Sequence, residues 1–246
     1  MHWTESYFDH AYAKRWGLGP PSATTRAEAA QLVTLLNSRP EAPLLDVGCG
    51  HGRYSLALAS HGRRVVGLDT SRALLALAAN YASGVLDPPR WVRSDMRRLP
   101  FASTFGGALL LDSFGFFDHD EDNAQALLEL RRILLPAGRV VIAVANGAPI
   151  LADFRSRDVE RRGAVVVEVE RTLERHPARL VEALSVHDAE GVSHYERRQR
   201  LYSTSELRAA LDAATLVVQA TFADYLGGGF DESTSSKIVM LAEAAA

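Results

Sequence analysis

Short, solidly apolar segments alternate with helical segments between about residues 43 and 145. The clearest apolar segments lie at residues 44–47, 65–68, 108–111 and 140–144, with a shorter one at 91–92. Because polar residues do not alternate within these segments, both faces of each predicted strand are expected to be buried, as in a parallel sheet covered by helices. Between them, apolar residues recur at helical spacing, for example at 121–134 before Pro136 and Gly138. This order of elements predicts a doubly wound α/β fold.

A different pattern begins near residue 164, where apolar and charged residues alternate with a period of two. It predicts three antiparallel strands, at 165–170, 179–184 and 195–202, laid over one edge or mouth of the sheet. Turns are expected near Pro177 and Gly191. Ser203, followed three residues later by Glu206, predicts a capped helix, and two further strands are predicted at 216–218 and 237–241.

Composition narrows the function classes. The 246 residues include 27 basic and 30 acidic side chains, a net charge of -3, which lacks the basic footprint expected of a nucleic-acid binder. The single cysteine, Cys49, excludes an internal disulfide and a zinc site built from several thiolates. No apolar run of about 18 residues or secretory leader is found, so we expect a cytoplasmic protein without membrane contact.

A glycine-rich turn follows the first predicted strand, in the sequence Asp46-Val47-Gly48-Cys49-Gly50-His51-Gly52. Glycines at alternate positions let the backbone turn tightly and approach a ligand. Asp69 ends the next strand, where an acidic side chain can accept hydrogen bonds from ribose hydroxyls. Together they predict a ribose-bearing ligand at the carboxyl ends of the strands. Arg53 stands where a dinucleotide-binding turn would have its third glycine, which disfavours a dinucleotide.

The glycine spacing resembles motif I of the class I S-adenosylmethionine-dependent methyltransferases. Segments 66–71, 94–101, 111–117 and 134–139 resemble further motifs of that family in the same order, with Ala137 departing from the last. Weaker similarity extends to residues 7–12 and 224–239. The resemblance implies a mostly parallel seven-stranded sheet with an N-terminal helical lid and an antiparallel β insertion. The expected division is a lid at 1–40, a cofactor-binding core at 41–150, an acceptor-side insertion at 151–202 and the rest of the core at 203–246.

The resemblance also implies an activity: methyl transfer from S-adenosylmethionine to an oxygen or nitrogen of a small molecule. Asp69 would bind the ribose and Asp95 the adenine amine, while backbone at Gly48 and Leu111 would face the methionine end. The cofactor-binding residues implied are Tyr12, Asp46, Gly48, Gly50, Asp69, Thr70, Asp95, Met96 and Leu111. His119, just after the fourth strand, is the candidate general base because its ordinary pKa lies near neutral pH.

Two other functions stay open at this stage. One is an NAD-linked oxidoreductase, which would share the ribose-binding carboxylate, and the other is a non-catalytic nucleoside-binding module. Asn146 and Asp153 are too sparse to form a catalytic metal site after the fifth strand, so no metal is expected. The partner expected is a small-molecule acceptor rather than nucleic acid or a membrane, and a homodimer is left open.

Overall fold

The computed structural model describes residues 7–8, 12 and 17–245, with the backbone alone at Arg162. Its helices are α1 (Ala23–Leu36), α2 (Arg53–Ser60), α3 (Arg72–Tyr81), α4 (Asp120–Ile133), α5 (Gly147–Ala152) and α6 (Thr204–Ala213). Its strands are β1 (Leu44–Val47), β2 (Val65–Asp69), β3 (Arg90–Arg93), β4 (Phe105–Leu111), β5 (Leu134–Ala145), β6 (Arg157–Arg162), β7 (Val165–Arg175), β8 (Ala178–Asp188), β9 (Gly191–Arg200), β10 (Leu216–Phe222) and β11 (Lys237–Ala244).

Seven strands form the main sheet in the order β10-β11-β5-β4-β1-β2-β3. Five neighbouring strands of this sheet, in the spatial order β5-β4-β1-β2-β3, are parallel to one another. Strand β11 runs antiparallel to both β5 and β10. The predicted fold class, a mostly parallel seven-stranded sheet with an added antiparallel sheet, is confirmed. The chain passes from β1 outward to β2 and β3 and then returns to β4. The resulting crevice at the carboxyl ends of β1 and β4 is where open α/β sheets bind ligands.

Helices cover both faces of this sheet, which explains why its strands lack polar alternation. All seven residues of β4 are buried. On one face, Leu45 belongs to a cluster with Leu127 of α4 and Leu211 of α6. On the other face, Leu44 belongs to a cluster with Leu32 of α1. Neighbouring residues of one strand therefore enter opposite halves of the core.

A second sheet, in the order β6-β7-β8-β9, is antiparallel throughout. The sequence predicted three of these strands, and the prediction of only three was wrong because β6 precedes them. Its sequence, Arg-Asp-Val-Glu-Arg-Arg, contains one apolar residue, Val159, and so gives no period-two signal. It pairs only with β7, as an edge strand. The predicted turns near Pro177 and Gly191 lie between the observed strands.

The predicted capping of α6 by Ser203 and Glu206 is confirmed. Ser203 Oγ accepts from the Glu206 N–H, and the Glu206 carboxylate accepts from the Ser203 N–H at 2.9 Å, which together form a capping box. No helix of the described residues is long and apolar enough to cross a membrane. The expected division of the chain at residues 40, 150 and 202 stays a prediction.

Candidate active site

A cavity of about 520 Å³ opens at the carboxyl ends of β1, β2 and β4. It lies at the crevice that the strand order creates. All nine residues predicted to bind the cofactor line it, namely Tyr12, Asp46, Gly48, Gly50, Asp69, Thr70, Asp95, Met96 and Leu111. The topology thus brings together residues that the sequence places up to about 100 positions apart. Their individual roles in binding are not tested by this placement and remain proposals.

The turn between β1 and α2 requires glycine at two positions. Gly48 and Gly52 both have positive φ, 68° and 77°. A Cβ at Gly48 would lie 2.5 Å from the Cβ of Ser113, and a Cβ at Gly52 would lie 2.4 Å from the ring of Trp91. Because side chains rarely adopt this backbone region and have no room here, glycine is needed for the turn to pack against β3 and β4. The cavity floor at this turn is therefore bare backbone.

Asp69 is held rigidly at the end of β2. Its Oδ2 accepts from the Gly50 N–H and its Oδ1 from the Ser71 N–H, both at 2.8 Å. Burial raises the pKa of this carboxyl, and the three backbone N–H groups around it act in the opposite direction. Each carboxylate oxygen has a second lone pair. A carboxylate fixed in this way at the cavity wall can accept from two neighbouring hydroxyl groups.

Asp46 is buried beneath the glycine turn. Ser55 Oγ of α2 donates to its Oδ2 at 2.6 Å. Burial raises the pKa of Asp46 to about 6, against the hydrogen bond from Ser55, and the negative charge of Asp69 adds to the rise. This carboxyl therefore changes its charge close to neutral pH, at the edge of a ligand cavity.

Asp95 is clamped by a neighbouring arginine. Arg97 Nη2 donates to Asp95 Oδ2 at 2.6 Å and its Nη1 donates to Asp122 at 3.0 Å. The Arg97 guanidinium also lies 4.7 Å from the centre of the Phe117 ring. The hydrogen bonds that Arg97 donates to Asp95 raise the pKa of Arg97, whereas burial acts to lower it. The Asp95 Oδ1 also accepts from the Arg97 N–H at 2.8 Å, so the clamp fixes the carboxylate at the cavity wall.

Aromatic side chains form another part of the cavity wall: Phe8, Tyr12, Phe116 and Phe117. The rings of Phe8 and Tyr12 are 5.0 Å apart, and those of Phe8 and Phe116 are 6.3 Å apart. Ser71 Oγ donates to the Phe8 carbonyl at 2.6 Å, which ties this segment to the start of α3. The described part of the N-terminal segment therefore covers the cavity. Asp9, His10 and Ala11 of the predicted lid lie outside the described residues.

His119 does not reach this cavity. It is exposed at the N-cap position of α4 and is not among the residues that line the cavity. Its carbonyl accepts from Asn123 Nδ2 at 3.4 Å. The chain turns away from the cavity between Phe117 and His119, so the geometry gives the predicted base role no support.

Sequence reasoning missed a polar network around Asp112, at the end of β4. Tyr225 Oη donates to Asp112 Oδ2 at 2.7 Å, and Lys237 Nζ donates to both of its oxygens at 2.5 Å. The Tyr225 ring packs edge-on against Tyr54, with 5.6 Å between ring centres. Asp112 and Tyr54 line the cavity. Asp112 has φ of 55°, a strained conformation for aspartate that is typical of functional sites.

Comparison with known proteins shows which enzymes this chain resembles. Residues 45–142 match a family model described as a methyltransferase domain. Residues 45–142 therefore carry a methyltransferase domain, and the predicted resemblance to the S-adenosylmethionine-dependent methyltransferases is confirmed. Over 203 residues it is 27% identical to the cypemycin N-terminal methyltransferase of a Streptomyces species, covering 80% of this chain and 82% of that protein. Other relatives include O-methyltransferases, of whose length the chain spans 49% and 45%.

Solved structures agree with the fold. The CcbJ methyltransferase from Streptomyces caelestis superposes with a TM-score of 0.83 at 20% identity, covering 97% of this chain and 98% of that one. CalS10 from Micromonospora echinaspora, an amino pentose methyltransferase solved with S-adenosylmethionine bound, has a TM-score of 0.67 at 24% identity, covering 96% and 95%. The predictions of a methyltransferase and of S-adenosylmethionine as its cofactor are confirmed. The NAD-linked and non-catalytic alternatives are not favoured.

The residues of this methyltransferase fit the cofactor. A nucleoside needs acceptors for ribose hydroxyls and for an adenine amine, and the carboxylates of Asp69 and Asp95 at the cavity wall are groups of this kind. The ammonium and sulfonium groups need nearby negative charge, and the Asp46 carboxylate at the end of β1 can provide it, whereas Asp112 at the end of β4 is already paired with Lys237. The bare backbone at Gly48 allows close approach. These residues suit a cationic nucleoside better than a pyrophosphate, which carries negative charge.

We expect the affinity of the methyltransferase for S-adenosylmethionine to fall as the pH is lowered through about 6. The pKa of Asp46 is about 6, so at lower pH its carboxyl is neutral and no longer attracts a cationic ligand. Titration calorimetry between pH 5 and 8 measures the effect. Asp46→Asn should bind more weakly at pH 8 and lose this step, whereas an unchanged step in the variant would assign it to another group.

Proposed function

We propose that this methyltransferase methylates an amine nitrogen of a small-molecule acceptor. The bound cofactor supplies a methyl group made electrophilic by its sulfonium. The protein's part is to hold the acceptor in line with that methyl and to keep water out, which is worth about 7–11 kcal/mol in well-oriented systems. The observation that carries the choice of nitrogen is the aromatic wall of the cavity combined with the absence of an available base among its described lining residues.

The aromatic wall suits a nitrogen acceptor. An amine becomes an ammonium when it is methylated, whereas a hydroxyl that loses its proton becomes a neutral ether. The faces of Phe and Tyr rings attract cations, by about 0.5–2 kcal/mol depending on desolvation. The Phe8 ring contacts both the Tyr12 ring and the Phe116 ring on this wall. Such a wall stabilises positive charge that develops on the acceptor.

The titratable groups of the described cavity lining also favour nitrogen. A hydroxyl acceptor must give up its proton as it attacks, whereas an unprotonated amine can release one afterwards to solvent. The four carboxylates of the lining are engaged: Asp46 by Ser55, Asp69 by backbone N–H groups, Asp95 by Arg97 and Asp112 by Lys237. Burial lowers the pKa of His51, the one imidazole among the described lining residues, to about 4. Asp46 is the carboxylate whose pKa lies near neutral, but it is buried beneath the glycine turn and accepts from Ser55, so it is not presented to a hydroxyl as a base.

The names of similar proteins include both chemistries. The cypemycin enzyme, whose match spans most of both chains, is named for an N-terminus, and CalS10 is described as acting on an amino pentose. The O-methyltransferases match over shorter stretches. The similarity over the longer stretch supports the amine proposal.

Matched pairs of acceptors test the proposal. Purified enzyme is incubated with S-adenosylmethionine carrying a deuterated methyl group and with pairs of small molecules that differ only in bearing an amine or a hydroxyl at one position. Mass spectrometry should show the labelled methyl on amines, at least tenfold faster than on the matched alcohols. Asp69→Ala should lose this activity in the same assay. Equal or faster labelling of the alcohols would contradict the proposal.

The finer expectations about the setting of the enzyme are also proposals. The net charge of -3 supports an acceptor other than nucleic acid. A cytoplasmic location and a homodimer stay predictions, the latter to be measured by light scattering of the purified protein.

A further inference from the structure

A second cavity, of about 200 Å³, lies against the inner face of the antiparallel sheet. Tyr12 lines both this cavity and the cofactor cavity, so the two adjoin through its ring. The volume corresponds to about seven water molecules at roughly 30 Å³ each. The other described lining residues are Tyr7, Glu160, Val169, Arg171, Glu182, Leu184 and Arg197. An acceptor whose nitrogen faces the methyl group can therefore extend its remaining part past Tyr12.

A row of three charged side chains crosses the sheet at this cavity. The strand register places Arg171 of β7 opposite Glu182 of β8, and Glu182 opposite Arg197 of β9. Arg171 Nε donates to Glu182 Oε1 at 2.9 Å, and Arg197 Nε donates to Glu182 Oε2 at 2.6 Å. Glu182 is only 3% exposed. The buried carboxylate therefore fixes the planes of both guanidinium groups.

Charge on an inward-facing row is costly, because each ion loses hydration that its partners only partly replace. The neighbouring row of the same face is apolar: Val169 and Leu184 lie opposite each other and pack with Tyr7. An apolar row of this kind avoids the cost of burying charged groups. Two oriented guanidinium groups each have N–H groups beyond those bound to Glu182. Their position at a cavity that adjoins the cofactor site gives these groups a ligand-binding use.

We infer that this second cavity binds the hydroxyl-bearing ring of an amino-sugar-like acceptor, and we call it the hydroxyl subsite. The inference rests on the proposed amine methylation. Among the described lining residues, two guanidinium groups face two carboxylates, those of Glu160 and Glu182, so the formal charges of this described lining balance. Asp158 also contacts Arg171 from the rim at 3.4 Å. A phosphate would meet these carboxylates and an ammonium would meet the guanidinium groups.

Neighbouring hydroxyl groups match this lining better than an ion does. Each hydroxyl both donates and accepts, so one can accept from a guanidinium while donating to a carboxylate or a tyrosine oxygen. The rings of Tyr7 and Tyr12, 5.2 Å apart, offer apolar surface to the carbon face of a sugar ring. A site built to bond hydroxyls discriminates strongly against an analogue without them, because its polar groups are then left unpaired.

The wild-type enzyme tests the inference with three amines: glucosamine, cyclohexylamine and glucosamine 6-phosphate. Methylation is measured with the deuterated cofactor, and kcat/KM is expressed per concentration of unprotonated amine because the amines differ in pKa. We expect glucosamine to exceed cyclohexylamine at least tenfold and to equal or exceed its phosphate. Equal rates for glucosamine and cyclohexylamine would overturn the hydroxyl subsite and leave amine methylation standing. A tenfold preference for the phosphate would overturn it in favour of an anion site.

Substitution of Arg197 gives a second measurement. Arg197→Lys keeps the positive charge opposite Glu182 but removes the planar guanidinium group with its several N–H donors. The value of kcat/KM for glucosamine should therefore fall at least tenfold more than that for cyclohexylamine. Arg171→Lys should act in the same direction. Arg198→Lys, on the opposite face of β9 beside Glu196, is the matched control and should keep the wild-type ratio. Equal losses for both amines in the Arg197 and Arg171 variants would assign the row a purely structural role. No turnover of any amine would contradict the proposed function itself.

Discussion

Replacing Asp69 by alanine is expected to weaken S-adenosylmethionine binding at least tenfold. The carboxylate is held by the Gly50 and Ser71 N–H groups, so the variant loses both the proposed acceptor for the ribose hydroxyls and a tie to the glycine turn. Hydrogen bonds to charged groups contribute about 1.5–3 kcal/mol each, and about 1.4 kcal/mol corresponds to a factor of ten. Loss of two such bonds, about 3–6 kcal/mol, would weaken binding by about a hundredfold or more. Titration calorimetry with S-adenosylmethionine and with S-adenosylhomocysteine measures the change.

Asp69→Asn separates the two contributions. Its amide oxygen can still accept from one backbone N–H, so the turn is expected to keep more of its geometry, but the negative charge is gone. Affinity should lie between those of the wild type and of Asp69→Ala. Asp212→Ala, an exposed aspartate near the end of α6, is the control for the loss of a carboxylate and should bind like the wild type. Wild-type affinity in Asp69→Ala would show that the ribose lies elsewhere.

The sequence predicted the cofactor cavity well because its signals are local. The strand before the glycine turn is buried throughout, the turn needs glycine at Gly48 and Gly52, and Asp69 ends the next strand. Parallel strands that end in polar residues bring those residues to one edge of a sheet. Strand ends and spacing therefore sufficed for the glycine turn and Asp69, whereas other residues of the nine, Tyr12 and Asp95 among them, were implied by the family resemblance.

The Asp112 network could not be predicted in this way. Tyr225 and Lys237 lie 113 and 125 positions from Asp112 along the chain. They reach it only because β11 inserts antiparallel beside β5, a pairing that no local pattern specifies. The informative signal was Asp112 itself, a carboxylate at the end of a fully buried strand.

His119 shows the limit of arguing from position along the chain. It follows β4 closely, but the direction of the segment after Phe117 is set by contacts with the inserted sheet. Arg179 Nη1 of β8 donates to the Phe117 carbonyl at 2.6 Å, and the Arg200 N–H of β9 donates to the Gly115 carbonyl at 2.7 Å. These contacts hold the two phenylalanines at the cavity and leave His119 outside it.

The same contacts depend on Asp120, the first residue of α4. Its carboxylate accepts from Arg179 Nη2 at 2.6 Å and from Arg200 Nε at 3.3 Å, and both arginine side chains are buried. Asp120 therefore joins the antiparallel sheet to the segment that carries Phe116 and Phe117. Arg200 has a second carboxylate partner, Glu206, at 2.5 Å, whereas Arg179 has Asp120 and the Phe117 carbonyl.

Asp120→Ala should destabilise the enzyme by about 2 kcal/mol. Removing one partner of a buried ion pair costs about 3–5 kcal/mol, and we expect less here because the Asp120 side chain is 45% exposed. For a chain of this size, 1 kcal/mol lowers Tm by about 2–4 °C, so Tm should fall by about 4–8 °C. Because the released segment carries the aromatic wall, KM for the amine acceptor should rise at least tenfold while cofactor affinity changes less than threefold.

Glu121→Ala is the matched control for this variant, since Glu121 is an exposed carboxylate in the same first turn of α4. Both variants remove one negative charge from the helix N-terminus, which costs about 0.3–1 kcal/mol in either case. Only Asp120→Ala also breaks the contact with Arg179 and Arg200. An equal fall of Tm in the two variants would assign the effect to the helix. A parallel loss of cofactor and acceptor binding in Asp120→Ala would show that the antiparallel sheet supports the whole cavity rather than its acceptor side.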